Sequence, residues 1–330
     1  MKKILVTGGA GYIGSFMVRE LQLKGFEPVI VDNLSQGHKE SVKDFRLETI
    51  DLVTEKEKLD ALLTSEKFDG VIHMASFIQM GESYANPAKY YKNNVIGMMN
   101  LLDSMRKSGT NKIILSSSAG VYGNPVKLPI EEDDPKNPLN PYGETKYIME
   151  RMLEDYDAAY GIKFIGIRYF NAAGAALDGS IGEDHPEESH LIPNIIKKAL
   201  KGEEIEIFGQ DYKTPDGTNV RDYIHVMDLT EIHSTAMQKL LDGAESNFYN
   251  AGIGRGYSNK EVIDMIKTVT GLDLKIKYGE RRAGDADTLY ASIEKIGHDF
   301  SWAPKYGLKE IVETAYAWHK NHPQGYANMD

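Results

Sequence analysis

The sequence contains no cysteine, and this absence excludes disulfide bridges, thiolate nucleophiles and zinc sites with cysteine ligands. It also lacks any apolar run near the roughly 18 residues of a membrane-spanning helix. The apolar run behind Lys2 and Lys3 ends after three residues, which is too short for the core of a signal peptide. We therefore expect a cytoplasmic protein without a membrane segment, whose chemistry uses oxygen, nitrogen or a bound cofactor.

Basic residues are in deficit. Lys and Arg number 38 against 49 Asp and Glu, which gives a formal net charge of −11. Such a chain repels phosphate backbones at long range and lacks the basic surface of a nucleic-acid-binding protein, so we expect no nucleic-acid partner. With 330 residues, 41% of them hydrophobic, the chain buries roughly three-quarters of its unfolded surface on folding.

Short β-rich runs alternate with amphipathic segments through the first half of the chain. The predicted strands are residues 2–7, 28–32, 46–51, 70–74, 112–117 and 163–168. This alternation predicts an α/β fold with a parallel sheet that is covered by helices on both faces. The first of these runs is continuously apolar, as expected of a strand buried on both sides.

The composition changes beyond Asn171, where residues 174–189 are rich in Gly, Asp and Glu and predict a loop. We therefore expect a first domain over residues 1–173 and a smaller α/β lobe over residues 174–330, with some of its segments returning to the first domain. Helices are predicted at residues 191–201, 226–241, 259–270 and 308–320. The third of these helices begins with a capping box formed by Ser258 and Glu261.

A glycine-rich turn follows the first strand directly and leads into a helical pattern. Gly8, Gly11 and Gly14 lie in this turn, and the next predicted strand ends at Asp32. Glycines let the pyrophosphate of a dinucleotide approach a helix N-terminus, while the carboxylate accepts hydrogen bonds from the adenosine ribose. The first domain is therefore predicted to be a Rossmann-type domain that binds NAD, because Asp32 repels the 2′-phosphate of NADP.

A phenol and an ammonium are placed four residues apart at the start of a predicted helix. Tyr142 and Lys146 share a helix face at this spacing. A nearby ammonium favours the phenolate, which then serves as a general base at neutral pH. The predicted strand at residues 112–117 leads into Ser118, which would place a hydroxyl at the carboxyl edge of the sheet, where ligands of such folds bind.

Together these motifs resemble the extended short-chain dehydrogenase/reductases, and among them the UDP-glucose 4-epimerases. The resemblance runs from Met1 to about Trp318 and covers the glycine turn, the strand end at residues 116–123, the Tyr142 and Lys146 pair, and residues 80–83, 90–95, 168–171, 216–226 and 281–285. It implies reversible 4-epimerisation of UDP-glucose and UDP-galactose through a transient 4-keto sugar, with NAD held throughout turnover, as part of galactose metabolism.

The resemblance also assigns site residues. Those for NAD are Gly8, Gly11, Tyr12, Ile13 and Gly14 in the turn, Asp32, Asn33, Leu34, Ser35, Gln36 and Gly37 around the ribose, Asp51 and Leu52 at the adenine, and Met74, Ala75, Ser76, Phe77, Ile78, Asn93, Tyr169 and Phe170 along the rest of the groove. Ser118, Tyr142 and Lys146 correspond to the catalytic trio, which also contacts NAD. The residues for the UDP-sugar are Ser118, Tyr142, Asn171, His190, Leu191, Glu206, Ile207, Phe208, Arg221, Arg282, Asp285 and Leu289.

Three positions depart from the pattern of some family members. Ile78 stands where some have Lys, and His190 stands where some have Asn. Leu289 replaces a bulky Tyr that restricts the hexose pocket, so that the smaller side chain could admit an N-acetyl group.

Several alternatives stay open on the sequence alone. A sugar-nucleotide 4,6-dehydratase is the nearest, but that chemistry resembles enzymes with an Asp-Glu pair where this chain has Ala119 and Gly120. Epimerases of glucuronate or pentose nucleotides, and a non-catalytic module that senses NAD or a sugar nucleotide, are the others. The histidines show no helical pair with a third ligand, so we expect no metal. Family habit predicts a homodimer through helices near residues 90–108 and 142–160.

Overall fold

The strand pattern predicted for the first half of the chain is confirmed by the structure, a computed structural model that describes residues 1–185, 187–281 and 286–328. The strands are β1 (Lys3–Thr7), β2 (Glu27–Asp32), β3 (Arg46–Thr49), β4 (Gly70–His73), β5 (Lys112–Ser116), β6 (Lys163–Tyr169), β7 (Asn171–Ala173), β8 (Glu204–Phe208), β9 (Val220–Arg221), β10 (Tyr223–His225), β11 (Asn247–Ala251), β12 (Tyr257–Ser258), β13 (Lys275–Gly279) and β14 (Thr288–Leu289). Each predicted strand lies within two residues of its observed bounds.

The helices of the described residues are, in chain order, α1 (Tyr12–Leu23), α2 (Lys56–Glu66), α3 (Met80–Ala85), α4 (Pro87–Tyr90), α5 (Gly97–Ser108), α6 (Pro141–Tyr160), α7 (Leu191–Lys201), α8 (Val226–Leu241), α9 (Asn259–Thr270), α10 (Glu294–Phe300) and α11 (Leu308–Asn321). A π-helical turn at Tyr91–Ile96 joins α4 to α5, and short 3₁₀ turns occur at Lys39–Val42, Ala119–Val121 and Gly325–Asn328. Over the ranges just given, no helix is both long and apolar enough to cross a bilayer.

The chain divides into two compact units. The first unit consists of Met1–Gly123, Pro135–Arg168 and Thr230–Tyr249, and the second of Asn124–Asp134, Tyr169–Leu229 and Asn250–Asp330. The first unit is built on a seven-stranded sheet with the strand order β11-β6-β5-β4-β1-β2-β3. Neighbours from β6 to β3 pair in parallel. The chain therefore switches direction between β1 and β4, the place where open α/β sheets bind ligands.

Both faces of this sheet are covered, as the apolar strands require. Leu5, Val29 and Val71 pack on one face with side chains of α2, α5 and α6. The residues between them in sequence, such as Ile4 and Ile30, are fully buried on the opposite face. The predicted α/β class with a doubly wound, Rossmann-type parallel sheet is confirmed.

The second unit contains three smaller sheets, in which β8 pairs with β13, β7 with β10, and β9 with both β12 and β14. Its core gathers apolar side chains from α7, α9 and α11 with those of β8 and β10. The capping box predicted for α9 is present: Ser258 Oγ accepts from the N–H of Glu261 at 3.1 Å, and the Glu261 carboxylate accepts from the N–H of Ser258 at 2.7 Å.

Candidate active site

The glycine turn joins β1 to α1 through a backbone that leaves no room for side chains. Gly8 has a φ of +73°, and a Cβ atom there would lie 2.6 Å from the N atom of Ala75. A Cβ atom at Gly14 would lie 2.0 Å from the carbonyl oxygen of Gly8. Gly11 precedes α1 and provides no side-chain cap, so that the first N–H groups of the helix point at whatever binds there. An anion is the ligand that such a helix start favours.

Asp32 ends β2 and is hydrogen-bonded to the glycine turn. One of its carboxylate oxygens accepts from the N–H of Ala10 at 3.0 Å and the other from the N–H of Leu34 at 2.8 Å. Burial raises the pKa of Asp32, and these two N–H donors act in the opposite direction. Each oxygen keeps a lone pair for further donors, which is what two ribose hydroxyls supply.

A pocket of about 620 Å³ opens beside this turn, entirely within the first unit. Its lining consists of Gly8, Gly11, Val31, Asp32, Asn33, Ser35, Gln36, Gly37, Ile50, Leu52, Met74, Ala75, Ser76, Phe77 and Asn93. Apart from Val31 and Ile50, every lining residue is one predicted to contact the cofactor. A long groove with glycines at one end and a buried carboxylate in its wall fits a dinucleotide.

Other predicted cofactor residues border the pocket without lining it. Tyr12 and Ile13 begin α1, Leu34 takes a left-handed backbone with φ 59°, and Ile78 is 37% exposed. Asp51 holds the turn after β3, because it accepts hydrogen bonds from Asn33, Val53 and Thr54. The prediction that these residues contact NAD remains a prediction.

Ser118 and Tyr142 lie on either side of Gly120. Ser118 caps the 3₁₀ turn after β5, and its Oγ accepts from the N–H of Gly120 at 3.0 Å. A Cβ atom at Gly120 would lie 3.3 Å from Ser118 Oγ and 3.8 Å from the Tyr142 ring. Any larger residue at position 120 would therefore insert between the hydroxyl and the phenol ring. Both side chains are more than nine-tenths buried.

Lys146 is the most deeply buried of the three predicted catalytic residues, with 2% exposed. Its Nζ donates to the carbonyl oxygen of Ser116 at 2.7 Å and to Oγ of Ser76 at 2.9 Å. Burial lowers the pKa of Lys146 to about 7, against the opposing charge of Glu150. Ser76 also lines the dinucleotide pocket, so this hydrogen bond connects the ammonium to the pocket wall.

A buried ion pair supports this region, and sequence reasoning missed it. Glu150 and Arg168 contact each other through two hydrogen bonds of 2.9 and 2.8 Å. The same carboxylate accepts from Ser117 Oγ at 2.6 Å, and Arg168 donates to the Tyr122 hydroxyl at 2.9 Å. Glu150 follows Lys146 by four residues on α6, and this i,i+4 spacing was the available signal.

In the second unit, three residues predicted to bind the sugar nucleotide meet around Asp222. Its carbonyl oxygen accepts from both nitrogens of Asn171, and its N–H donates to the carbonyl oxygen of Leu289 at 3.0 Å. Leu289 is also the register partner of Arg221 in adjacent strands. Burial raises the pKa of Asp222 to about 6, although its carboxylate accepts N–H groups from Ile253 and Ala291. Asp222 thus organises this site, a role that the sequence motif alone did not reveal.

The remaining predicted residues are spread over other elements of the second unit. Glu206, Ile207 and Phe208 lie on β8, where Ile207 is buried in the core while Glu206 is exposed. His190 and Leu191 stand at the start of α7, and Tyr169 and Phe170 are half-buried where β6 ends. Arg282 and Asp285 lie outside the described residues.

Comparison with known proteins gives close similarity over nearly the whole chain. Residues 4–252 match the NAD dependent epimerase/dehydratase family. The chain is 46% identical to the UDP-glucose 4-epimerase of Lactobacillus helveticus, covering 98% of this chain and 99% of that protein. It resembles the crystal structure of UDP-glucose 4-epimerase from Brucella ovis in complex with NAD, with a TM-score of 0.93, 42% identity, and coverage of 96% of this chain and 98% of that one. It also resembles the UDP-Glc/GlcNAc 4-epimerase from Campylobacter jejuni, with a TM-score of 0.85, 40% identity, and coverage of 97% and 100%.

These similarities confirm the resemblance predicted from the motifs. They agree with the glycine turn, the pocket beside it and the buried Ser118, Tyr142 and Lys146, and they make NAD the cofactor. The chain belongs to the NAD dependent epimerase/dehydratase family.

Proposed function

We propose that this protein interconverts UDP-glucose and UDP-galactose by epimerisation at C4, through a transient 4-keto sugar and with NAD retained between turnovers. The observation that carries the proposal is the buried arrangement of Ser118 and Tyr142 around Gly120, with Lys146 one helical turn further along α6. A phenol, a hydroxyl and an ammonium are the groups needed to move a proton at a sugar hydroxyl.

In this mechanism Tyr142, as phenolate, takes the proton from the 4-hydroxyl of the hexose. Ser118 Oγ donates a hydrogen bond to that oxygen and relays the proton. Lys146 is held in place by Ser76 and Ser116, and its positive charge favours the phenolate. When bound, NAD accepts the hydride from C4 and returns it to the opposite face of the sugar. Because the diphosphate stays anchored while the hexose turns over, binding energy far from C4 serves the chemistry.

The surroundings of Tyr142 favour epimerisation over 4,6-dehydration. Dehydration needs an acid and a base at neighbouring carbons, and Ala119 and Gly120 supply neither. A Cβ atom at Gly120 would already be 3.3 Å from Ser118 Oγ, so the space holds no additional proton-transfer group.

The diphosphate and uridine are proposed to bind in the second unit, around Asn171 and Arg221. Arg suits this role because its guanidinium binds phosphate oxygens in pairs, and a local positive charge is needed on a chain whose net charge is −11. The sequence-based assignments of His190, Leu191, Glu206, Phe208, Arg282 and Asp285 to the same ligand are part of this proposal.

The deciding experiment is a coupled assay of purified protein with UDP-galactose, which follows UDP-glucose formation without added NAD. We expect conversion, and we expect denatured protein to release about one NAD per chain. Absence of conversion even with NAD supplied would reject the proposed substrate. Conversion of UDP-glucuronate or a UDP-pentose under the same conditions would then identify the sugar.

Activity on N-acetylated UDP-hexoses is proposed as a second capacity, because Leu289 stands beside Arg221 with its side chain only half-buried. We expect Leu289→Tyr to lower kcat/KM for UDP-N-acetylgalactosamine by about 10-fold or more, since a clash worth about 1.4 kcal/mol has that effect. Activity on UDP-galactose should change much less. Leu289→Met, which keeps the volume, is the matched control. Equal losses on both substrates would contradict the assignment.

The chain is also proposed to form a homodimer in the cytoplasm. Tyr91, Ile96 and Met99 are each about two-fifths exposed along the π-helical turn and α5, an apolar stripe typical of an interface. We expect Met99→Glu to convert the dimer to monomers in light scattering coupled to gel filtration. Leu177→Glu, at an exposed apolar residue of the second unit, should leave the mass unchanged. A wild-type monomer would contradict the proposal.

A further inference from the structure

Four metal-ligating side chains converge in the loop that precedes α7. Glu183, His185, Glu188 and His190 each offer one donor atom, and these four atoms lie within 4.8 Å of one another. All four belong to the second unit and lie outside the dinucleotide pocket. The spacing Glu-x-His-x-x-Glu-x-His brings two imidazoles and two carboxylates together from a single eight-residue segment.

The separations between these atoms match a small coordination sphere. In a tetrahedral zinc site with bonds of about 2.0–2.1 Å, neighbouring donor atoms lie about 3.3 Å apart. His185 Nδ1 is 3.3 Å from Glu183 Oε1 and 3.5 Å from Glu188 Oε2. His190 Nδ1 is 3.5 Å from Glu188 Oε1 and 2.6 Å from Glu183 Oε1, where it makes a hydrogen bond. Only the last of these distances must lengthen for an ion to enter.

One carboxylate oxygen of the cluster is buried without a hydrogen bond. Glu188 Oε2 has no hydrogen-bond partner among the described residues, and the side chain is only 8% exposed. The other oxygen, Oε1, accepts from the N–H of His190 at 2.9 Å. Burying a carboxylate oxygen without a donor is costly unless a cation compensates it. Glu188 Oε2 faces His185 Nδ1 inside the cluster, which is where a cation would sit.

The backbone on both sides of the loop is fixed before any ion binds. The carbonyl oxygen of Glu183 accepts from the indole N–H of the fully buried Trp318 at 3.1 Å. Gly182 exchanges hydrogen bonds with the Tyr326 hydroxyl. At the other end, the carbonyl oxygen of His190 accepts from the N–H of Asn194 in the first turn of α7. Outer contacts of this kind orient the ligands of metal sites.

We propose that Glu183, His185, Glu188 and His190 bind one divalent transition metal ion, and that Zn²⁺ is the ion that fits. Two imidazoles disfavour Mg²⁺ and Ca²⁺, which prefer all-oxygen sites. Four protein ligands with no position left for substrate make the site structural, so that the ion holds the loop onto the start of α7. This proposal replaces the sequence-based expectation of no metal, which considered histidine pairs on helices and overlooked a loop.

The test uses untagged, full-length protein with its NAD, stripped by a chelator and then dialysed against Zn²⁺. We expect about one zinc per chain by elemental analysis, and a higher Tm for the zinc form. His185→Asn and Glu188→Gln should each lower zinc affinity beyond the roughly 10–100-fold cost of losing an outer-sphere partner. His298→Gln removes an exposed histidine that pairs with Asp299 outside the cluster, and this control should bind zinc like the wild type.

Two outcomes would overturn the site: wild-type protein that retains no zinc, or cluster variants that retain as much zinc as His298→Gln. Should the variants fail to fold, as judged by circular dichroism, Co²⁺-loaded wild-type protein decides instead. The visible absorption bands of tetrahedral Co²⁺ would support the site, and their absence would reject it. Epimerase activity is measured separately, so that neither result depends on the proposed substrate.

Discussion

Replacing Tyr142 by Phe should lower turnover of UDP-galactose by about 10²–10⁴-fold, the range that a positioned general base contributes. The change removes one hydroxyl from a side chain that is 7% exposed and leaves its ring in place beside Gly120. The dinucleotide pocket is lined by other residues, so NAD content should equal that of the wild type. Steady-state kinetics and the NAD released on denaturation measure the two expectations.

Tyr160→Phe is the matched control for this variant. Tyr160 ends the same helix, α6, and is 54% exposed, so its hydroxyl has no part in proton transfer and activity should stay near that of the wild type. Substantial activity in Tyr142→Phe would reject Tyr142 as the base. Loss of NAD together with activity would instead assign Tyr142 to cofactor binding.

Helix bounds in the second unit could be predicted because the signals that end those helices are local. Gly202 and Gly271 follow α7 and α9 in left-handed conformations, with φ of 69° and 66°. Glycine adopts this conformation without strain, so it marks a helix end within the sequence itself. The capping box at Ser258 fixed the start of α9 in the same way. Predicted and observed bounds of both helices agree to the residue.

Short strands of the second unit escaped prediction because their pairing partners are distant in sequence. β9 contains only Val220–Arg221, and it pairs with β12 and β14, whose residues lie more than 30 positions further along. Two residues carry no periodicity from which a strand can be read. The site around Asp222 depends on these pairings, and for this reason the sequence indicated its residues only through family resemblance.

The catalytic region shows the same division between local and distant signals. Tyr142 and Lys146 were predicted to share a face because they are four residues apart on one helix. Ser76, which accepts a hydrogen bond from Lys146, is 70 positions away. Its contact with the ammonium follows from β4 and β5 being neighbours in the sheet, and no property of Ser76 itself announces it.

Glu150→Gln should lower the free energy of unfolding by about 3–5 kcal/mol, because it leaves one charge of a buried ion pair uncompensated. Glu150 and Arg168 are 2% and 3% exposed. Burial lowers the pKa of Arg168, but the hydrogen bonds and charge of Glu150 outweigh it and hold that pKa above its usual value. The guanidinium therefore stays charged in the variant. Denaturant unfolding monitored by circular dichroism measures the loss.

Glu131→Gln provides the control, since Glu131 is 54% exposed and pairs with Lys127 on the surface. A surface pair of this kind contributes about 0–1 kcal/mol. Similar stability of the two variants would show that Glu150 and Arg168 contribute no more than a surface pair. A loss of several kcal/mol confined to Glu150→Gln would show that the buried pair holds α6 and β6 together.

The same substitution should also act on Lys146. Burial lowers the pKa of Lys146 to about 7, and the negative charge of Glu150 limits that decrease. Removing the charge lowers the pKa further, so the ammonium that favours the Tyr142 phenolate is lost at a lower pH. In Glu150→Gln, kcat should therefore begin to fall at lower pH than in the wild type, at a temperature where both are folded. An unchanged pH profile combined with reduced stability would restrict Glu150 to a structural role.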